Sequence, residues 1–231
     1  MKTLLSIALI MILFANAHSQ VYVQGGVNLA NISKTASGQT EKNNLLTTFN
    51  AGILGRFDLS KTIDLESGLL LDARGSKAET YFTSGTDDNY VKTRFNPLYL
   101  LLPLNLIVRF PLEKNTNIFF NGGPYAAIGI AGNAKSESKF LGITSSSIGK
   151  IKFSNDDPFT SKQDDAGYDK LKRFDFGLNI GGGFDLGRVL LKVNYALGLT
   201  KINSTQSNNS SDEKNKYRTV SISLGIPLDR D

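Results

Sequence analysis

The sequence predicts an all-β fold: an eight-stranded antiparallel up-and-down barrel that crosses a membrane. Three observations predict it. Segments in which apolar residues occupy every second position recur eight times, and this is the period of a β-strand. Tight turns and long polar loops alternate strictly between these segments. The N-terminus has the pattern of an export signal, and the 231 residues include no cysteine that could form a stabilising disulfide.

The N-terminus contains the three parts of a secretory signal peptide. A lysine is followed by an apolar segment, residues 4–14, and then by small residues. The apolar segment is too short to span a bilayer as a helix, which needs about 20 residues. Cleavage after Ala17 or after Ser19 fits the small-residue rule, and we prefer Ser19. The chain therefore divides into a signal peptide, 1–19, and an outer-membrane barrel domain, 20–231.

The alternating segments are the predicted strands. In each of them one face is almost purely apolar, whereas the other face mixes glycine, amide, hydroxyl and charged side chains. In the fourth segment every second residue from Leu100 to Phe110 is apolar. A tilted strand needs about 9–11 residues to cross a membrane, and these segments are long enough. The eight predicted strands are residues 21–31, 47–59, 62–75, 95–110, 117–131, 173–186, 189–202 and 217–228.

The connections between the predicted strands alternate in length. Short turns at one end and long loops at the other are typical of barrels in the bacterial outer membrane. An even number of strands places both termini at the periplasmic end, with the short turns, so the long loops face outward. The predicted short turns are Ser60-Lys61, residues 111–116 and Gly187-Arg188, and the predicted long loops are residues 32–46, 76–94, 132–172 and 203–216.

Periodicity alone does not decide which face of the strands points inward. A soluble, lipocalin-like cup would enclose the apolar face around a ligand, but eight strands leave a lumen only just wide enough for side chains. The charged and glycine-rich face suits a narrow interior that contains ion pairs. Aromatic residues of the apolar face also cluster near the strand ends, as in the two aromatic girdles of a membrane barrel. They are Phe57, Phe110 and Phe184 near the short turns, and Phe49 and Phe174 near the long loops.

The run IGGGFDLG, residues 180–187, raises the question of a phosphate-binding loop. Such a loop follows a strand, opens a helix and needs a pattern such as G-x-G-x-x-G or G-x-x-x-x-G-K-[ST]. Neither pattern is present, and the residues that follow alternate as a strand does. Gly187-Arg188 suits the apex of a two-residue hairpin turn. We interpret the run as a hairpin, with Gly181 and Gly183 facing the lumen.

Several segments resemble a known family. VYVQGGVNLANIS (21–33), YLLLPLNLIVRF (99–110), GPYAAIGIAG (123–132) and residues 175–202 resemble, in order and spacing, strands of an outer-membrane β-barrel family of Bacteroidetes-type bacteria, described as PorT-like or porin-like. The resemblance covers nearly the whole mature chain. It implies an eight-stranded outer-membrane barrel, and it implies no shared ligand or chemistry. The chain departs from many such barrels at its end, GIPLDRD, which is not aromatic.

The composition leaves few means for catalysis. The chain has no cysteine, and its single histidine, His18, lies at the signal junction. We therefore predict no catalytic residue, no metal site and no cofactor, and we do not expect an enzyme. The net charge of +5 is mild, and the basic residues form no run typical of nucleic-acid binding. The predicted partner is instead the lipid of the outer membrane.

Seven charged residues are predicted to meet inside the barrel near its periplasmic end. Pairing about the first short turn sets Arg56 opposite Glu66, and the other charges fall at a similar height. We interpret them as a structural ion-pair network, because an unpaired buried charge costs several kcal/mol. The alternative is the gate of an ion path. The seven residues are Arg56, Asp58, Asp64, Glu66, Arg109, Asp185 and Lys192.

The longest predicted loop, 132–172, is the candidate surface for protein partners in the cell envelope. It is rich in serine, lysine and aspartate, and its islands FLGI and IGKIKF can pair as a hairpin above the membrane. Its acidic pairs lack the spacing and glycine of a calcium loop. The predicted function is that of a non-enzymatic outer-membrane barrel whose loops serve structural, adhesive, secretion-complex or envelope-complex roles. A small-solute channel and a soluble ligand carrier are the alternatives.

Overall fold

A computed structural model describes residues 19–36, 39–41, 45–84, 87–113, 116–159, 170–202 and 215–228. Within these ranges no helix is long and apolar enough to span a bilayer. The strands in the same ranges are β1 (Ser19–Ala36), β2 (Gln39–Glu41), β3 (Leu46–Asp58), β4 (Ile63–Ala73), β5 (Ser76–Ser84), β6 (Asp87–Glu113), β7 (Thr116–Phe140), β8 (Ile143–Lys150), β9 (Lys152–Ser154), β10 (Lys170–Lys172), β11 (Phe174–Asp185), β12 (Leu190–Gly198) and β13 (Lys216–Pro227).

Eight of the described strands form a closed antiparallel ring. The order around the ring is β1, β3, β4, β6, β7, β11, β12, β13 and back to β1. Strands that follow one another along the ring-forming part of the chain are always neighbours. This confirms the predicted eight-stranded up-and-down barrel. Closure satisfies the backbone groups of the wall without an exposed edge, which lipid requires.

The two faces of the wall are divided as the sequence predicts. Inside the barrel, Gln24, Asn28 and Asn50 are buried among other polar side chains. Outside it, the alternate residues Val23 and Val27 are 42% and 50% exposed. A polar interior inside an apolar outer surface is stable when lipid surrounds the wall. A lipocalin-like cup has the opposite arrangement, so that alternative is wrong.

The short turns and both ends of the barrel sequence lie together at one end. Ser19, the first residue of β1, pairs with Phe57, which lies just before the first turn. Across the second turn Glu113 pairs with Thr116, so this turn is shorter than predicted. By the usual arrangement of outer-membrane barrels, this is the periplasmic end.

At the opposite end, the structure contains strands where the sequence predicts loops. Parts of the predicted loops 76–94 and 132–172 pair as a four-stranded sheet that continues the barrel wall. We call this sheet the blade and define it as residues 76–84, 87–96, 132–140 and 143–150. Its distal hairpin turns at Leu141-Gly142, where φ is 47° and 77°. The segment FLGI therefore forms the turn of this hairpin. The prediction that FLGI pairs with IGKIKF as a second strand is wrong.

The wall is interrupted where β4 ends and β5 begins. Gly75 has φ of +138°, and a Cβ added there would lie 1.8 Å from the carbonyl oxygen of Phe95. Only glycine therefore fits this position without a movement of the backbone. The interruption separates β4 from β5 directly after Arg74, whose side chain is fully buried in the lumen.

The glycine run that raised the question of a phosphate loop is part of a hairpin. β11 and β12 pair from Gly177–Gly198 to Asp185–Leu190 around a turn in which Gly187 has φ of +82°. A Cβ added to Gly183 would lie 1.8 Å from the carbonyl oxygen of Leu191. The glycines therefore allow two strands to approach closely, and no helix follows them.

Candidate functional site: a lumen closed by two charged layers and a cap

The first charged layer lies in the periplasmic half of the lumen and has Glu66 at its centre. This fully buried carboxylate accepts hydrogen bonds from Tyr22 Oη at 2.5 Å, Arg56 Nε at 3.3 Å and Asn105 Nδ2 at 3.0 Å. Lys192 Nζ donates another hydrogen bond to the same carboxylate. Glu66 thus connects β1, β3, β6 and β12 across the lumen.

Arg56 extends this layer toward the opposite wall. Its Nη1 lies 3.7 Å from Asp185 Oδ2, and its guanidinium carbon lies 4.4 Å from the ring centre of Phe119 and 5.4 Å from that of Tyr22. A guanidinium at these distances from aromatic rings gains a cation–π attraction. Arg56 and Lys192 are therefore opposed by Glu66 and Asp185, so the inner part of the layer is balanced in charge.

Three of the predicted residues form a separate group at the periplasmic rim. Arg109 Nη2 lies 2.7 Å from Asp64 Oδ1 and 3.3 Å from Asp58 Oδ1. Asp64 is buried, but the side chain of Asp58 is 52% exposed. The placement of Asp58 inside the lumen is therefore wrong, because β3 ends at this residue and its side chain lies at the rim. The register itself sets Arg56 opposite Glu66 and Asp58 opposite Asp64.

A second charged layer, nearer the outer end, is absent from the sequence-based prediction. Its centre is Arg74, whose Nε lies 2.5 Å from Asp72 Oδ2 and whose Nη1 forms an ion pair with Asp175. Asp175 also accepts hydrogen bonds from Tyr125 Oη at 2.9 Å and from Thr200 Oγ1. Two buried carboxylates therefore share one buried guanidinium.

Three tyrosines surround this guanidinium. Its central carbon lies 4.7 Å from the ring centre of Tyr125, 5.5 Å from that of Tyr99 and 5.6 Å from that of Tyr217. Tyr99 and Tyr217 are also hydrogen-bonded to each other at 3.2 Å. The rings exclude water from Arg74 and contribute cation–π attraction.

A small cavity separates the two layers. It has a volume of about 40 Å³, and most of the residues around it carry amide, hydroxyl or charged groups, with leucines among them. Among the lining residues are Gln24, Asn50, Asn105, Asn179, Lys192 and Ser223. A cavity of this size has room for about three water molecules and is far too small for a solute.

The outer mouth of the barrel is covered by a cap, which we define as residues 151–154, 170–173 and 199–202. Its strands β9 and β10 are parallel to each other. Leu171, Ile151 and Ile202 are buried against the tyrosines of the mouth, and the ring of Phe153 contacts that of Tyr99 at 5.7 Å. The second half of the segment IGKIKF, residues 151–153, therefore lies in the mouth of the barrel.

One cation of the cap is also buried. Lys172 Nζ donates a hydrogen bond to the carbonyl oxygen of Asp157 at 2.5 Å. Burial lowers the pKa of Lys172, while the negative charges of Asp157 and Asp156 act in the opposite direction. This lysine anchors β10 to the chain segment that follows β9.

The two layers and the cap close the lumen along its length. The inner side chains cross from strand to strand at two heights, and apolar residues seal the mouth above them. Among the described residues, no group of three or more histidine, cysteine, aspartate or glutamate side chains is placed to hold a metal ion. The geometry is that of a filled core, with room for water between the layers.

The apolar contacts of Leu171 are expected to hold the cap in the mouth. Leu171→Ala should increase the rate of trypsin cleavage after Lys170 and Lys172 in intact cells by about tenfold or more, because a buried Leu→Ala change removes about 2–5 kcal/mol of packing. Mass spectrometry of the released peptides identifies the cleaved bonds. The control is Ile148→Ala at a site that is 71% exposed. Equal cleavage of both variants would show that the cap does not depend on this contact.

Comparison with known proteins places the fold in a family. A model of the outer membrane protein beta-barrel domain matches residues 14–204. No curated protein matches the sequence. Ail, the attachment invasion locus protein of Yersinia pestis, has a similar solved structure, with 14% identity, coverage of 91% of this chain and 99% of that chain, and a TM-score of 0.37. Neisserial surface protein A is also similar, with 10% identity, coverage of 90% of this chain and 97% of that chain, and a TM-score of 0.38. OprG of Pseudomonas aeruginosa has 13% identity, coverage of 93% of this chain and 98% of that chain, and a TM-score of 0.35.

The matched region contains every strand of the closed ring except the last, β13, which begins at Lys216 and pairs with β1. The family model thus covers well over half of the 231 residues, and the observed wall has the polar interior and apolar exterior that an outer-membrane barrel needs. The chain therefore belongs to the outer membrane protein β-barrel domain family, and it resides in the bacterial outer membrane with its apolar face against the lipid.

Proposed function

We propose that this barrel acts through its outer surface, as a non-enzymatic protein that presents the blade for a structural, adhesive, secretion-complex or envelope-complex role. The observation that carries this proposal is the length of β6 and β7, which span 27 and 25 residues and remain paired as far as Tyr90–Lys139. At about 3.3 Å per residue and a tilt of about 40°, β6 spans about 65–70 Å along the membrane normal. The apolar band of such barrels is only about 25 Å tall.

The blade offers an edge to which a protein partner can bind. β8 carries no charge before Lys150, and its side chains are exposed along its whole length. Ile143 and Ile148 are 74% and 71% exposed, although both are large apolar residues. An exposed strand at the edge of a sheet is a template for an added strand of another chain. These features favour a protein partner at the predicted surface, 132–172.

A shortened blade tests the proposal. Residues 137–146 are replaced by a two-residue Asn-Gly turn, since Ser136 and Ser147 already face each other in the hairpin. We expect envelope proteins that cross-link to the full-length barrel in intact cells to be lost with the variant, while the heat-modifiable electrophoretic mobility of the barrel is kept. The same set of cross-linked proteins from both forms would contradict the proposal.

The closed lumen disfavours the small-solute channel. In planar bilayers we expect the purified barrel to give no sustained conductance steps, because two charged layers and the cap fill the lumen. Reproducible conductance by the unmodified protein would favour a channel instead.

The export signal and the narrower family assignment are also part of the proposal. We propose that residues 1–19 are removed on export, which the intact mass of the protein purified from outer membranes tests. Cleavage after Ala17 or after Ser19 leaves β1 complete from Gln20, and the two masses differ by the residues His18 and Ser19. A mass that includes residues 1–17 would contradict removal. The PorT-like relationship among Bacteroidetes-type barrels rests on the sequence resemblance described above.

A further inference from the structure

The outer face of the blade continues the lipid-facing surface of the barrel. On β6, Leu102, Leu104 and Leu106 are exposed on the outside of the wall, and the same alternation places Arg94 and Asn96 on that face. The outer face also continues along β7, but the residues that form it change from even-numbered to odd-numbered positions. Leu98 pairs with Ala131 and Tyr99 pairs with Gly129, so a β-bulge adds one residue between them.

Three cations form a row on this outer face. Lys77, Arg94 and Lys135 lie directly opposite one another on the neighbouring strands β5, β6 and β7. Like charges in directly opposite positions destabilise a sheet. Two glutamates offset the row in part, because Lys77 Nζ lies 3.8 Å from Glu79 and Lys135 Nζ lies 3.8 Å from Glu137. Arg94, the central cation, makes no ion pair with any side chain that the structure describes.

The next row, further from the membrane, holds one cation between two carboxylates. Glu79, Lys92 and Glu137 lie opposite one another, and Lys92 Nζ lies 4.4 Å from the ring centre of Tyr90. Tyr90 Oη donates a hydrogen bond of 2.9 Å to Glu137, and this bond raises the pKa of Tyr90. The row of Lys77, Arg94 and Lys135, which we call the cation row, therefore holds the densest positive charge, while Lys150 opposite Asn133 and Lys139 opposite Tyr90 add single cations to other rows of the same face.

The cation row lies just beyond the apolar band, with its long side chains within reach of the lipid headgroups. Arg94 is four residues beyond Leu98, or about 13 Å along the strand and about 10 Å along the membrane normal at the usual tilt. The polar layer extends about 5–8 Å beyond the hydrocarbon on each side, and long basic side chains reach toward it. Between the apolar wall and the row, Asn96 and Asn133 lie opposite each other and provide amide donors.

We propose that the cation row binds the phosphate groups of lipid headgroups in the outer leaflet of the outer membrane. Three observations point to lipid as the source of the anion: the row is on the face that continues the lipid-facing wall, it lies just above the end of the apolar band, and its central guanidinium has no partner among the described side chains. Arginine binds phosphate through paired N–H donors, and lysines on either side add charge. The site fixes the barrel vertically and recruits phosphorylated lipid around the blade.

Native mass spectrometry of the full barrel in detergent micelles tests the site, with lipid A carrying two phosphates and dephosphorylated lipid A as probes. We expect the wild-type barrel to bind the phosphorylated lipid about tenfold or more tightly than the dephosphorylated one. Arg94→Gln should weaken binding of the phosphorylated lipid about fivefold, the effect of one basic residue at a membrane surface. The triple variant Lys77→Gln/Arg94→Gln/Lys135→Gln should lose the preference.

The matched control is Lys92→Gln, which removes a charge from the same strand and face, but from the next row, where Lys92 lies between two glutamates. It should change binding less than twofold, and all variants should keep the heat-modifiable mobility of a folded barrel because the replaced side chains are on the surface of the blade. Equal binding of both lipids by the wild type would overturn the proposal, as would an equal loss from Lys92→Gln. Displacement of the lipid by inorganic phosphate at about 10 mM, which is far below the ionic strength that screens such contacts, would also overturn the proposal. The site would then be one for free anions.

Discussion

Glu66→Ala is expected to lower the free energy of unfolding of the barrel by about 3–5 kcal/mol, because it leaves two buried cations without their shared carboxylate. Glu66 has no exposed surface, and it contacts Lys192, Arg56, Tyr22 and Asn105. Each of these groups loses an acceptor inside a lumen that offers little water as a substitute. Urea unfolding in lipid vesicles, followed by circular dichroism, measures the loss.

Two further variants test whether the first charged layer is a structural element or the gate of an ion path. Glu79→Ala removes a carboxylate of the blade that forms only a partly exposed ion pair with Lys77, and it should cost less than about 1 kcal/mol. Arg56→Ala removes a cation of the charged layer and should lower the stability to heat in detergent, because it leaves Asp185 without its 3.7 Å ion pair and removes one of the two cations that contact Glu66. Unchanged stability of Arg56→Ala together with new ion conductance would favour the gate.

Arg74→Ala is expected to have an effect of similar size, about 3–5 kcal/mol, through the opposite charge. It leaves Asp72 and Asp175 buried in the same layer without the guanidinium that they share. The three tyrosines around Arg74 lose their cation at the same time. Because these rings also form the floor under the cap, the variant should show both a lower urea midpoint and faster trypsin cleavage at Lys172.

Two controls make the Arg74 result specific. Arg74→Lys keeps the charge but cannot bridge two carboxylates with a planar fork of donors, so it should recover only part of the loss. Arg94→Ala removes an exposed arginine of the blade and should leave the free energy of unfolding within about 0.5 kcal/mol of the wild type. A loss of less than about 1 kcal/mol for Arg74→Ala would show that the second layer is not a stabilising element.

The barrel wall could be predicted from the sequence because lipid imposes a strict alternation on its strands. The predicted strand 62–75, for example, is observed as Ile63–Ala73, and the predicted strand 173–186 as Phe174–Asp185. The blade could not be predicted in the same way. Beyond the membrane no apolar face is required, so β5 and β8 are rich in serine and threonine and have no purely apolar face, a composition that also suits a loop.

The candidate site could also be predicted only in part from the sequence. A tight turn fixes the register of β3 and β4, so the Arg56–Glu66 pair follows from counting residues away from it. Asp72 and Arg74 share a strand face with Glu66, which is a signal that could have marked them. Their partner Asp175 is 101 residues from Arg74, and the contact depends on how the strands are staggered around the ring. Local periodicity does not contain that information.

The interruption at Gly75 has a mechanical consequence. β4 and β5 are separated there, and β8 does not continue from a barrel strand, so β6 and β7 are the two uninterrupted strands that join the blade to the wall among the described residues. A force applied to the tip of the blade therefore enters the barrel through the β6–β7 pair, and it meets the bulge at Ile130 first. We expect the blade to tilt as a lever about that bulge while the ring below keeps its shape.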